Sequence, residues 1–178
     1  MPSAPAFELI VHHRWSLPVL AELSTQGGAK FVTLSHSLDV SRDSLRATLD
    51  ALIELGLVRP NPGHGHPMRP EYLLTAAGER LAPACARLVA ALRALDVEDV
   101  ALRKWSLPVA RGLVAGDERF GQLEARLTGV TARALSMALR SLEDAGLVER
   151  RVLEGRPPTP VYRLTPRARP LAPILRAM

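Results

Sequence analysis

Apolar residues at Trp105, Val109 and Leu113 recur with helical spacing and predict a helix over residues 105–113. Pro108 falls in or near its first turn, where a missing N–H costs least. Phe120, Leu123 and Leu127 predict a second helix over 120–127. Thr131 is a good N-cap for a third, whose Leu135, Ala138, Leu139 and Leu142 form a buried stripe. That helix is expected to stop at Ala145-Gly146, glycine being the usual residue beyond a helix C-terminus. The period then changes: β-prone runs at 147–152 and 161–164 bracket the turn-rich segment 153–158, which predicts a hairpin. Thr165 is expected to cap a final, short helix from Pro166.

The same pattern occurs earlier. Shifting the chain by 90 residues lays Trp15-Ser16-Leu17-Pro18-Val19 on Trp105-Ser106-Leu107-Pro108-Val109, and Gly56-Leu57-Val58 on Gly146-Leu147-Val148. Tyr72, Leu74-Thr75 and Leu81-Ala82-Pro83 find Tyr162, Leu164-Thr165 and Leu171-Ala172-Pro173. Phe31 and Phe120 correspond with a slip of one residue. Six of the seven aromatic residues pair between the copies and are expected in the core. Thr75 is expected to cap a longer final helix over 76–95.

Helix, helix, capped helix, hairpin, helix is the order of a winged helix-turn-helix, in which the capped helix enters the major groove and the hairpin reaches the backbone or minor groove. The expected fold class is therefore mainly α with small β-hairpin wings, as two tandem winged helix-turn-helix domains, residues 1–96 and 97–178.

The second copy resembles the HxlR family of bacterial winged-helix transcriptional regulators over nearly its whole length. The resemblance rests on Lys104-Trp105-Ser106, Arg119-Phe120-Gly121-Gln122-Leu123 and Gly129-Val130-Thr131. It continues through Leu142-Glu143-Asp144-Ala145-Gly146-Leu147-Val148-Glu149-Arg150, Pro157-Pro158-Thr159-Pro160-Val161-Tyr162-Arg163-Leu164-Thr165 and Leu171-Ala172-Pro173. The first copy resembles the same family less closely: Asp39-Val40-Ser41 stands at the cap, while Pro67-Met68-Arg69-Pro70-Glu71-Tyr72 keeps the wing. The resemblance implies a transcriptional regulator bound to double-stranded DNA. It also implies pairing of winged helices, as a homodimer of tandems or as a single-chain pseudo-dimer.

With Leu135, Leu139 and Leu142 inward, Arg133, Met137 and Arg140 lie on the outer face of the recognition helix, residues 132–145, with Ala134 and Ser136 at its margins. Arginine bridges guanine O6 and N7 or grips phosphate, and the Thr131 hydroxyl suits a phosphate at the helix start. Arg150, Arg151 and Arg156 make the wing, 149–163, basic. The equivalent face of the first copy holds Asp43, Ala47 and Asp50, flanked by Ser41, Arg42, Ser44 and Arg46, with Arg69 on its wing. Carboxylates repel phosphate but accept from cytosine N4, so the second copy is expected to supply most of the affinity.

Charge agrees. The chain of 178 residues has a net charge of +5. Residues 1–96 hold nine Lys and Arg against nine Asp and Glu, and residues 97–178 hold fourteen against nine, so the excess lies in the second half. At 47% hydrophobic residues, with no apolar run near membrane-spanning length and no leader-like N-terminus, a globular cytoplasmic, nucleoid-associated protein is expected. The single cysteine, Cys85, lies on the apolar stripe of 76–95 and is expected to be a buried, inert thiol. His64-Gly65-His66 is expected to be an exposed wing tip, not a metal site. No phosphate loop, nucleophile motif or ligand cluster occurs, so neither an enzyme nor a cofactor is expected, while a small-molecule effector stays open. The alternative function is a tandem winged-helix scaffold for protein interaction or chromosome organisation.

Overall fold

A computed structural model describes residues 4–61, 71–155 and 158–178, with side chains from Phe7 onward. Arg69, Arg156 and His64-Gly65-His66 lie outside the described residues. The first repeat contains α1 (Ala4–Ile10), α2 (Ser16–Gln26), β1 (Ala29–Lys30), α3 (Phe31–Ser37), α4 (Arg42–Glu54), β2 (Val58–Asn61), β3 (Glu71–Leu74) and α5 (Ala76–Ala94). The second contains α6 (Glu98–Ala101), α7 (Ser106–Gly112), β4 (Glu118–Arg119), α8 (Phe120–Arg126), α9 (Ala132–Asp144), β5 (Val148–Leu153), β6 (Thr159–Leu164), a 3₁₀ segment (Pro166–Leu171) and α10 (Ala172–Ala177).

The chain forms two packing units, His13–Ala90 and Met1–His12 with Ala91–Met178. The repeat alone puts the cut after residue 96. The packing instead carries the first twelve residues to the second copy, because α1 brings buried Phe7 and Ile10 into that unit, followed by buried Val11.

Within the unit His13–Ala90, the sheet runs β1-β3-β2, antiparallel, with Ala29 opposite Tyr72 and Val58 opposite Leu74. Leu45, Leu49 and Leu52 of α4 are fully buried with Leu20, Leu23 and Leu34. Ser41 caps α4, its Oγ accepting from the Ser44 N–H at 3.3 Å. Thr75 Oγ1 accepts from the Gly78 N–H at 3.1 Å and donates to the Gly56 carbonyl at 2.6 Å. It thus caps α5 and ties the end of the α4 segment to it.

The second unit repeats this design. Its sheet runs β4-β6-β5, with Glu118 opposite Tyr162 and Val148 opposite Leu164. Thr131 caps α9 by accepting from the Ala134 N–H at 3.2 Å, and α9 buries Leu135, Ala138, Leu139 and Leu142. Gly146 beyond it has φ 67°, the left-handed turn expected of glycine there.

Two expectations are corrected. Thr165 makes no side-chain cap; its hydroxyl donates to the Gly146 carbonyl at 2.6 Å, and the following residues form the 3₁₀ segment. The second copy has Pro166 and Pro170 where the first has Ala76 and Arg80, and proline lacks an N–H and disfavours helical geometry at the residue before it. The paired aromatics Trp15, Phe31, Tyr72, Trp105, Phe120 and Tyr162 are half-buried, not central. The core is built from Leu, Val and Ala, and Phe7, the aromatic without a counterpart, is the one that is fully buried.

Candidate nucleic-acid interface

In the second unit, Leu127 to Val130 turn the chain between α8 and α9, with Gly129 in the left-handed conformation at φ 76°. The turn is held from below: Arg126 donates to the Gly112 carbonyl at 3.1 Å and to Glu118 Oε1 at 2.6 Å, joining α8 to α7 and β4. Gln122 Oε1 accepts from the Arg119 N–H at 2.7 Å and closes the start of α8. The helix-turn-helix pair is therefore anchored by its own side chains before any partner arrives.

Burial of Leu135, Ala138, Leu139 and Leu142 rotates the opposite face of α9 outward. Arg133, Ser136, Met137 and Arg140 are exposed on it, Ala134 is half-buried at its margin, and Thr131 is exposed at the cap. Seven residues separate the two arginines, about 10 Å along the axis. Met137 lies between them at 61% exposure.

On β5, Arg150 and Arg151 are exposed, opposite Tyr162 and Val161 of β6. Glu149 and Arg163 face each other across the same ladder and form an ion pair, so Arg163 is tied to the wing. The strand continues into exposed Val152 and Leu153, an apolar pair that sequence reasoning treated only as strand formers. The sequence signal is the order Arg150-Arg151-Val152-Leu153, which does not alternate polar with apolar, and all four residues are exposed.

The first unit presents the same face with different chemistry. Asp43, Ala47 and Asp50 are exposed, as are Ser41, Arg42, Ser44 and Arg46. The Ser41 hydroxyl donates to Ser44 Oγ at 2.9 Å, which engages both hydroxyls within the cap. Asp39 takes the left-handed turn position that Gly129 occupies in the second copy, at φ 47°. Asp tolerates this conformation better than most residues.

A pair of ring contacts also repeats. Arg14 lies 5.5 Å from the Trp15 ring centroid, and Lys104 lies 5.4 Å from that of Trp105. Each tryptophan is thus a half-buried plate under a basic side chain. Among the described residues no group of three or more His, Cys, Asp or Glu is placed to hold a metal ion, and no helix is long and apolar enough to cross a membrane.

The chain is similar in sequence to known proteins. The HxlR-like helix-turn-helix family pattern matches residues 10–95 and again residues 100–178. Over 82 residues the chain is 42% identical to the uncharacterized HTH-type transcriptional regulator sll1512 of Synechocystis sp., a match covering 46% of this chain and 61% of that protein. It is 36% identical over 77 residues to the uncharacterized HTH-type transcriptional regulator YvaP of Bacillus subtilis, covering 43% of this chain and 71% of that one. Among solved structures, the reduced form of the redox regulator HypR shares 32% identity over 48% of this chain and 85% of its own, with a TM-score of 0.43. The match thus spans about three-fifths of the length of the Synechocystis relative. With both repeats matched by one pattern, the chain belongs to the HxlR-like helix-turn-helix family.

Proposed function

We propose that the protein is a DNA-binding transcriptional regulator of HxlR type, acting on chromosomal DNA in the cytoplasm. The functional copies are the two sequence repeats, divided after residue 96, with helix α1 of the first packing in the unit of the second. Helix α9 enters the major groove, and the wing from Arg150 follows the backbone or minor groove. The observation that carries this is the exposed Arg133–Met137–Arg140 face on a helix capped by Thr131 within a helix-turn-helix. Arg133 and Arg140 bridge guanine or grip phosphate, the Thr131 end of α9 holds a phosphate, and Arg150, Arg151 and Arg156 add backbone contacts.

The first copy acts chiefly as a pseudo-dimer partner. Asp43 and Asp50 face outward where the second copy has arginines, and the Ser41 and Ser44 hydroxyls are spent on each other. Its Arg42 and Arg69 supply the weaker DNA contacts.

Selection of genomic fragments by the purified full chain at about 150 mM salt, repeated with Arg133→Ala/Arg140→Ala, tests the proposal. Recovery of one motif by the wild type, lost in the variant, is the expected result. Binding that is salt-sensitive but motif-free would reduce the role to phosphate contact, and no enrichment at all would favour a protein-interaction scaffold.

A further inference from the structure

The outer face of α9 has an apolar centre between two cations, Met137 between Arg133 and Arg140. Met137 is 61% exposed, while the inward stripe is already filled by Leu135, Ala138, Leu139 and Leu142. In the first copy the corresponding residue is Ala47, also exposed and also apolar, although both flanking charges are reversed, Asp43 for Arg133 and Asp50 for Arg140. The flanks change sign between the copies and the centre stays apolar.

We infer that Met137 is a specificity-determining residue that packs against the 5-methyl group of a thymine, between base pairs contacted by Arg133 and Arg140. This rests on the proposed insertion of α9 into the major groove and names what the helix reads there. The thymine methyl is the apolar feature of the major-groove edge, and the other features are hydrogen-bonding groups that a thioether does not match. Methionine suits the role because it is unbranched, polarisable and long enough to extend beyond the helix surface. The spacing agrees: four residues from Arg133 to Met137 span about 6 Å along the helix, close to two base steps of about 3.4 Å. Arginine on either side places guanines next to the thymine, so the half-site of the second copy has the form of a thymine flanked within one or two positions by guanines.

The test uses the full chain and a duplex carrying the motif that the wild type recovers from a random-sequence pool. Each thymine is replaced singly by deoxyuridine, which removes only the methyl group. One replacement is expected to weaken wild-type binding about fourfold, the scale of burying one methyl group. Met137→Ala is expected to bind the thymine and uracil duplexes equally, and Met137→Leu to retain the discrimination. Because Met137 is exposed, an unchanged melting temperature in both variants verifies that the fold is intact. A recovered motif with no methyl-sensitive position, or a Met137→Ala variant that still discriminates, overturns the inference and leaves the DNA-binding role standing. Failure of the wild type to recover any motif overturns both.

Discussion

The Arg46 guanidinium lies 5.6 Å from the centroid of the Phe31 ring, so it links the first helix of the first copy's helix-turn-helix to the second. The cation is thereby directed at its own domain, and the corresponding residue of the second copy is Ser136. Arg46 is thus an intramolecular brace in addition to a surface charge.

Arg46→Ala is accordingly expected to change DNA affinity less than about threefold, whereas Arg133→Ala/Arg140→Ala lowers it more than about tenfold and flattens its salt dependence. Titrations of one operator duplex at several salt concentrations give both numbers. Equal losses in the two variants would contradict the division of labour between the copies.

Gly78 is fixed by its neighbour. A Cβ there would run into the Leu57 carbonyl oxygen, and the Gly78 N–H is the one that Thr75 accepts. The second copy holds Ala168 at this position, where the backbone is 3₁₀ instead of α-helical. Gly78→Ala is expected to cost about 1–3 kcal/mol of stability. An unchanged urea midpoint would show that α5 shifts freely at its start.

Burial in α1 holds the Glu8 carboxyl above its usual 4.5, against the Thr128 backbone hydrogen bond and the Arg111 charge, which pull it down. The folded state therefore binds this proton more tightly than the unfolded chain does. The stability linked to Glu8 is complete below the unfolded value and is lost as pH rises through the folded one. Glu8→Gln, neutral throughout, is expected to match or exceed the wild type near pH 7, with the gap closing towards pH 4. Urea midpoints at the two pH values check this; a gap that widened towards acid would contradict it.

Cys85 is buried, and desolvation pushes its thiol up to about 12. A thiol held so far from its thiolate is a poor nucleophile. The native protein is expected to resist a disulfide-exchange reagent at about pH 8 for hours and to react fully within minutes in denaturant. Rapid labelling of the native protein would mean that α5 opens locally.

The capped helices and the hairpins are legible in the sequence because each carries redundant signals: a Ser or Thr cap, a stripe such as Leu135, Leu139 and Leu142, and a closing glycine. The two-residue strands β1 and β4 are not, since pairing to β3 and β6 defines them and periodicity needs more than two positions. Helix α1 escaped for a related reason. Its spacing of Phe7, Ile10 and Val11 is helical, but the stretch is short, and its partners lie far along the chain. The outward face of α9 follows directly from its inward stripe, whereas the ring contacts of Arg46 and Lys104 depend on tertiary placement that spacing does not encode.

Helix α1 also sets an order of events during synthesis. Phe7 meets Arg111 at 4.7 Å within one unit, yet a ribosome delivers the whole of the unit His13–Ala90 between them. Residues 13–90 are thus complete while α1 still waits for its partners, and docking α1 closes a loop of about a hundred residues, a cost that grows only slowly with length. Until then the apolar side chains of Phe7, Ile10 and Val11 lack the burial that they have in the folded unit.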